Sequence, residues 1–307
     1  MSLPMPTSIW IEATNTCNAR CPLCPTGNGT LGRPKAFFDV GLYQQIVREV
    51  RPQRMNFWNF GEPFLHPDIH SMITYAKNMG VKDTWASTNG YAFYDRALIP
   101  ALVNCGLDLL IVGLDGTDAE TFNRYRVNVQ FDRLMSNLRW MQATTPFPGK
   151  LIWQFIVMQQ NQHQLEAARS MAADLGMEFW VKQANLDMLS GQGDASWLPD
   201  DPSYCRYEET IEGVRVKGGG RGKCFFVENT LIINADGSVV PCCFDAQTEL
   251  LLGNAKAQSI QDIWAGEPLH ELRRRIRSER HLYSPCNRCA VGVEVFSEKA
   301  LHVTAMT

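Results

Sequence analysis

The run Ser8-Ile9-Trp10-Ile11-Glu12-Ala13-Thr14-Asn15-Thr16-Cys17-Asn18-Ala19-Arg20-Cys21-Pro22-Leu23-Cys24 decides how this chain is read. A strand-length apolar segment, Ile9–Ala13, passes straight into a loop with the spacing Cys17-x3-Cys21-x2-Cys24. From there to about residue 184 two patterns alternate. Further strand candidates are Arg54–Phe60, Thr84–Ser87, Leu109–Leu114, Leu151–Met158 and Glu178–Gln183. Helix candidates between them include Asp39–Val50, Pro67–Met79, Asp95–Asn104, Phe131–Gln142 and His163–Leu175. Pro67 suits a first helical turn, and Gly80, Gly106 and Gly176 suit C-terminal caps. Repeated βα units predict an α/β fold with a parallel sheet inside and helices outside. Six units make an open, partial (β/α)6 TIM-like barrel, whose active site belongs at the C-terminal ends of the strands. The residues with chemistry fall there. The cysteine loop follows strand one, Gly61-Glu62-Pro63 strand two, Thr88-Asn89-Gly90 strand three and Asp115-Gly116 strand four.

Composition narrows the function. With 307 residues the chain has room for one large domain and one small one. The net charge is −3, and no basic block would neutralise a run of phosphates, so nucleic acid is not an expected partner. The first residues lack a basic stretch followed by an apolar one, and no apolar run is long enough to span a bilayer. A cytoplasmic location and no membrane contact are expected. There, ten cysteines, seven of them clustered in two groups, point to metal rather than to disulfides.

Three thiolates on one loop hold a four-iron cluster one ligand short, because such clusters take four. The open iron is then free to chelate the amino and carboxylate groups of S-adenosylmethionine (SAM). A zinc loop is the competing reading. Zinc takes four ligands, and the next histidine, His66, lies in another loop.

With these motifs in hand, residues 8–184 resemble the radical SAM superfamily. The resemblance implies that Gly61, Glu62 and Pro63, in the run Asn59-Phe60-Gly61-Glu62-Pro63, form the loop that binds the SAM amino group. It implies that Ser87, Thr88 and Asn89 approach the SAM ribose and methionine. Asp115 belongs to a segment usually written Ser-Leu-Asp-Gly, and Arg126 resembles a partner of the SAM carboxylate. Two positions depart from the family pattern. Leu23 stands where an aromatic residue is common, and Gly113 replaces the serine, so one ribose or carboxylate hydrogen bond is expected to be absent or replaced.

The last third carries a second constellation: Cys224-x17-Cys242, a gap of 43 residues, then Cys286-x2-Cys289. A hairpin candidate, Leu231–Ile233 with Ser238–Val240, turns at Asp236-Gly237. A basic helix is expected at about Ile260–Ser278. This arrangement resembles the twitch domain, the short form of the SPASM domain, which implies one auxiliary [4Fe–4S] cluster on Cys224, Cys242, Cys286 and Cys289. Structural zinc is again the rival. The expected division is a barrel over 1–185, a polar connecting loop over 186–223 and an auxiliary-cluster domain over 224–307.

Three cysteines are left over. Cys105 reads as core. Related radical SAM epimerases use a cysteine near the auxiliary cluster as hydrogen donor, and Cys243 and Cys205 are the candidates. Lys182, Arg206 and Asp245 are candidate general bases, while Trp58 and Trp153 read as core. The resemblance implies an enzyme that uses SAM and two [4Fe–4S] clusters to abstract a hydrogen atom. Three outcomes fit: oxidation of a secondary alcohol on a sugar- or aminocyclitol-like molecule, epimerisation, or modification of a ribosomally made peptide. A small-molecule substrate or short peptide and a flavodoxin- or ferredoxin-like reductant are the expected partners. A non-catalytic electron carrier would not need the SAM-binding loops.

Overall fold

The computed structural model describes residues 5–186, 194–211, 213–220 and 224–289. Six parallel strands form its centre: β1 (Ser8–Ile11), β2 (Arg54–Asn56), β3 (Asp83–Thr88), β4 (Leu109–Gly113), β5 (Lys150–Val157) and β6 (Glu178–Gln183). They neighbour one another in sequence order. The intervening helices are α1 (Pro25–Asn28), α2 (Val40–Val50), α3 (Ile69–Asn78), α4 (Ile99–Asn104), α5 (Ala119–Tyr125), α6 (Phe131–Thr144) and α7 (Leu165–Asp174). A strand covered on both faces must be apolar throughout. β4, Leu-Leu-Ile-Val-Gly, is buried at every position.

The two faces of the strands serve different ends. Ile9, Ile11, Leu110, Val112 and Val181 turn toward the helices and join the main core. Trp10, Leu109 and Ile111 turn the other way, into separate apolar clusters beneath the strand ends. The period of two therefore delivers alternate strand residues to the barrel interior.

Beyond β6 an antiparallel pair, β7 (Tyr207–Thr210) and β8 (Gly213–Val216), lies inside the segment expected to be loop. After it come α8 (Phe225–Asn229), β9 (Thr230–Ile233), β10 (Ser238–Val240), β11 (Gly253–Asn254), α9 (Ile260–Ala265) and α10 (Glu267–Glu279). The expected hairpin is β9–β10, but it does not stand apart. β9 pairs in parallel with β1, from Ser8↔Thr230 to Ile11↔Ile233, and extends the barrel sheet to nine strands. β1 is apolar on both faces and would otherwise expose an open edge. The single basic helix expected over 260–278 is two. α9 starts at Ser259, whose side chain caps Asp262 N–H, and ends at Gly266. Pro268 then occupies the first turn of α10, where its missing N–H costs nothing.

Candidate active site

A cavity of about 270 Å³ opens where the strands end. The three-cysteine loop forms one side of it, since Cys17, Cys21 and Cys24 all line it. The loop is shaped by short-range bonds. Ala19 N–H donates to Cys17 Sγ at 3.4 Å, and Asn89 Nδ2 donates to the same sulfur at 3.4 Å and to Asn18 Oδ1 at 2.9 Å. Gly27 packs so tightly that a Cβ there would sit 2.5 Å from Cys21 N. Burial pushes the Cys17 thiol up to about 12 and the Cys21 thiol to about 11; the Arg126 charge pulls the latter back down.

Glu62 ties the ends of β2 and β3 together. Its Oε1 accepts from Thr88 Oγ1 at 2.9 Å and from Phe64 N–H at 3.2 Å, and its Oε2 accepts from Asn89 N–H at 2.7 Å. Burial raises its carboxyl to about 7 against these bonds. Pro63 opens the short 3-10 turn that sets this carboxylate in place. Gly61 has φ +105°, and a Cβ there would lie 2.2 Å from Thr14 O, so only glycine lets the β2 loop cross the β1 loop. Ser87 also lines the cavity.

Asp115 and Arg126 form the next unit. Arg126 Nε donates to Asp115 Oδ2 at 2.6 Å, and Ile156 N–H donates to Asp115 Oδ1 at 2.7 Å. Arg126 Nη1 reaches Cys21 Sγ at 3.9 Å. Gly113 acquires a reason here. A Cβ at 113 would lie 2.4 Å from Arg126 Nη2, so the missing serine side chain makes room for the guanidinium.

The other side of the cavity comes from β6 and the C-terminal region: Lys182, Gln183, Asn185, Arg206, Cys243 and Phe244. Behind it, Cys242 feels the charges of Cys243, Cys289, Cys286 and Cys224, so tertiary folding has gathered this group. Arg280 Nη2 donates to Cys289 Sγ at 3.3 Å. Cys205 is absent from the cavity lining; its thiol donates to Tyr207 O at 3.5 Å. Asp245, offered as a base, accepts from Glu249 and Leu250 N–H at 2.8 Å each and closes a turn. Trp58 lines the cavity against Trp10, with ring centroids 4.8 Å apart, whereas Trp153 is core and donates to Leu114 O at 2.7 Å.

One buried pair escaped the sequence reading. Glu12, at the end of β1, accepts from Arg33 Nη1 at 2.6 Å and Nη2 at 2.7 Å. Its oxygens also take Phe60 N–H at 3.1 Å and Ala235 N–H at 2.9 Å, while Arg33 Nε donates to Ala246 O at 3.0 Å. It thus links the cysteine loop, the β2 loop and the β9–β10 turn. An acidic residue ending an apolar strand was the available signal; its partners lie too far along the chain to be read.

Residues 11–163 match the radical SAM superfamily, and residues 224–290 match SPASM, an iron–sulfur cluster-binding domain. The chain belongs to the radical SAM superfamily. Over an alignment 319 positions long it is 21% identical to the tungsten-containing aldehyde ferredoxin oxidoreductase cofactor-modifying protein of Pyrococcus furiosus, covering 92% of this chain and 87% of that one. Two solved structures share the fold. BtrN in complex with AdoMet and 2-DOIA has a TM-score of 0.57 at 16% identity, covering 98% of each chain. Streptococcus suis SuiB bound to S-adenosylmethionine has a TM-score of 0.67 at 16% identity, covering 99% of this chain and 75% of that one. The cofactors of this radical SAM enzyme are SAM and iron–sulfur clusters.

The residues present fit those groups. The three-cysteine loop faces a cavity that also offers a carboxylate and a guanidinium, as the amino and carboxylate ends of SAM require. Among the described residues no three His, Cys, Asp or Glu side chains close on a point that one metal ion would fill. A lone zinc draws four sulfurs to about 2.3 Å from one centre; a cluster takes its ligands on separate irons. No helix among the described residues is long and apolar enough to cross a membrane.

Proposed function

We propose that this radical SAM enzyme abstracts a hydrogen atom from a small substrate held between its two cysteine groups, and that a secondary alcohol on a sugar- or aminocyclitol-like molecule is thereby oxidised. One observation carries the reading: Cys17, Cys21 and Cys24 line the same cavity as Cys243, which adjoins Cys242 of the second group. When bound, SAM on the first cluster supplies a carbon radical, and a [4Fe–4S] cluster on Cys224, Cys242, Cys286 and Cys289 supplies an electron acceptor.

The protein's own groups orient and enclose. Glu62, fixed by three donors, offers an acceptor for the SAM ammonium at a buried site. Arg126, held by Asp115, offers its remaining N–H groups to the SAM carboxylate. Trp10, Trp58 and Phe244 wall the cavity and keep water from the reacting carbon. Flavodoxin- or ferredoxin-like proteins fit as the one-electron source.

Epimerisation is the second reading, and the place of Cys243 in the cavity lining favours it over any use of Cys205. The test is iron, sulfide and EPR on anaerobically reconstituted protein, together with 5′-deoxyadenosine release. About eight irons and SAM-dependent deoxyadenosine are expected. About four irons with one zinc would remove the electron acceptor and, with it, the oxidation. Turnover in deuterated water separates the two readings, because only epimerisation through an exchangeable thiol places deuterium on product carbon.

A further inference from the structure

The substrate side of the cavity is lined by two cationic side chains, Lys182 and Arg206. Lys182 is on β6, two residues after Trp180 and on the same face. Phe179 and Val181 pack outward against the main core, so Lys182 faces inward and lines the cavity. Its side chain forms no hydrogen bond or ion pair among the described residues. The charges that reach it are those of Arg206, Cys243, Arg126 and Asp115. Arg126 and Asp115 largely cancel in their 2.6 Å pair. Arg206 lines the same cavity, where Tyr207, Cys289, Cys205 and Cys243 are the groups whose charge reaches it. Among the described residues Glu62 is the one carboxylate in the lining, and its three donors hold it on the SAM side.

A half-buried ammonium with no counter-ion among the described residues is costly, and desolvation accordingly lowers the Lys182 pKa from its ordinary value. An anionic ligand removes that cost. We infer that Lys182, with Arg206 beside it, forms a subsite for an oxyanion on the substrate, a carboxylate or phosphate group. The inference rests on the cavity being the active site, and it narrows the substrate class. An amine-bearing cyclitol would bring like charge up to Lys182, whereas an acidic or phosphorylated polyol complements it. Gln154, Gln183 and Asn185 line the cavity as neutral hydrogen-bonding groups for hydroxyls.

The test is isothermal titration of the cluster-loaded, SAM-bound protein with inorganic phosphate and, separately, with acetate. Saturable binding of at least one is expected, and which one binds distinguishes a phosphorylated from a carboxylated substrate. Lys182→Met should weaken that binding by at least about tenfold, while Lys182→Arg, which keeps the charge, should stay within about threefold of the parent. SAM affinity and the cluster EPR signals should not change in either variant. Failure of both anions to bind, or unchanged binding by Lys182→Met, would overturn the subsite. So would a shift in a cluster's reduction potential with anion binding intact, because Lys182 would then balance cluster charge instead. Absence of deoxyadenosine release from SAM, measured alongside, marks failure of the active-site reading itself.

Discussion

Cys17, Cys21 and Cys24 share one eight-residue loop, whereas Cys224, Cys242, Cys286 and Cys289 are drawn from three segments across 66 residues. The first group owes its shape to neighbours in sequence and to Asn89 and Gly27, which fix the loop locally. The second exists only once α8, the β9–β10 hairpin and the turn after α10 have docked. A local group can lose its metal and leave the fold standing. A group assembled from distant segments is itself a fastener, and metal binding there contributes to folding.

The largest effects should separate the two groups. Replacing Cys17, Cys21 and Cys24 by alanine should reduce deoxyadenosine release to background and remove about half the iron, with little change in thermal midpoint. Cys286→Ser should do the reverse: SAM cleavage survives, but the midpoint falls by on the order of 10 °C. Equal destabilisation by both would erase the contrast.

Arg33→Met tests the link between the regions. It strands the fully buried Glu12 carboxylate, and such losses cost about 3–5 kcal/mol. Urea denaturation should show that loss, and a loss below about 1 kcal/mol would mean that the pair does not fasten the regions. Gly113→Ser is a finer probe of the first region. The added side chain meets Arg126, so the SAM dissociation constant should rise about tenfold at unchanged iron content. Tighter binding would show instead that the serine hydroxyl restores a contact.

The smallest effect concerns pH. Glu62 is raised from 4.5 to about 7 by burial, so the folded state holds its proton more tightly than the unfolded state. Stability from this group is complete below pH 4.5 and is lost as pH rises through about 7. Glu62→Gln should flatten that slope in SAM-free protein, while Cys286→Ser should leave it unchanged.

The contrast also explains what could be read from the sequence. The barrel was legible because each βα unit announces itself through a local apolar period, and the residues proposed to hold SAM follow strand ends one by one. Asp236-Gly237 announced the hairpin in the same way. The β7–β8 pair was hidden because Tyr-Glu-Glu-Thr and Gly-Val-Arg-Val are largely polar, half-exposed strands. The Gly266 break was masked by the helical period continuing on both sides of it. Nothing near Glu12 names Arg33 or Ala235, and nothing near Gly113 names Arg126. Such partnerships are set by the packing of segments remote in sequence, as is the placement of Cys243 in the cavity and Cys205 outside it.

The pairing of β1 with β9 has a consequence for biosynthesis. Ser8 leaves the ribosome 222 residues ahead of its partner Thr230. Until then the nascent barrel carries a bare edge of Ser-Ile-Trp-Ile, an aggregation-prone template. At about 5–20 residues per second that edge stays open for roughly 10–45 s, long compared with the time a strand needs to pair.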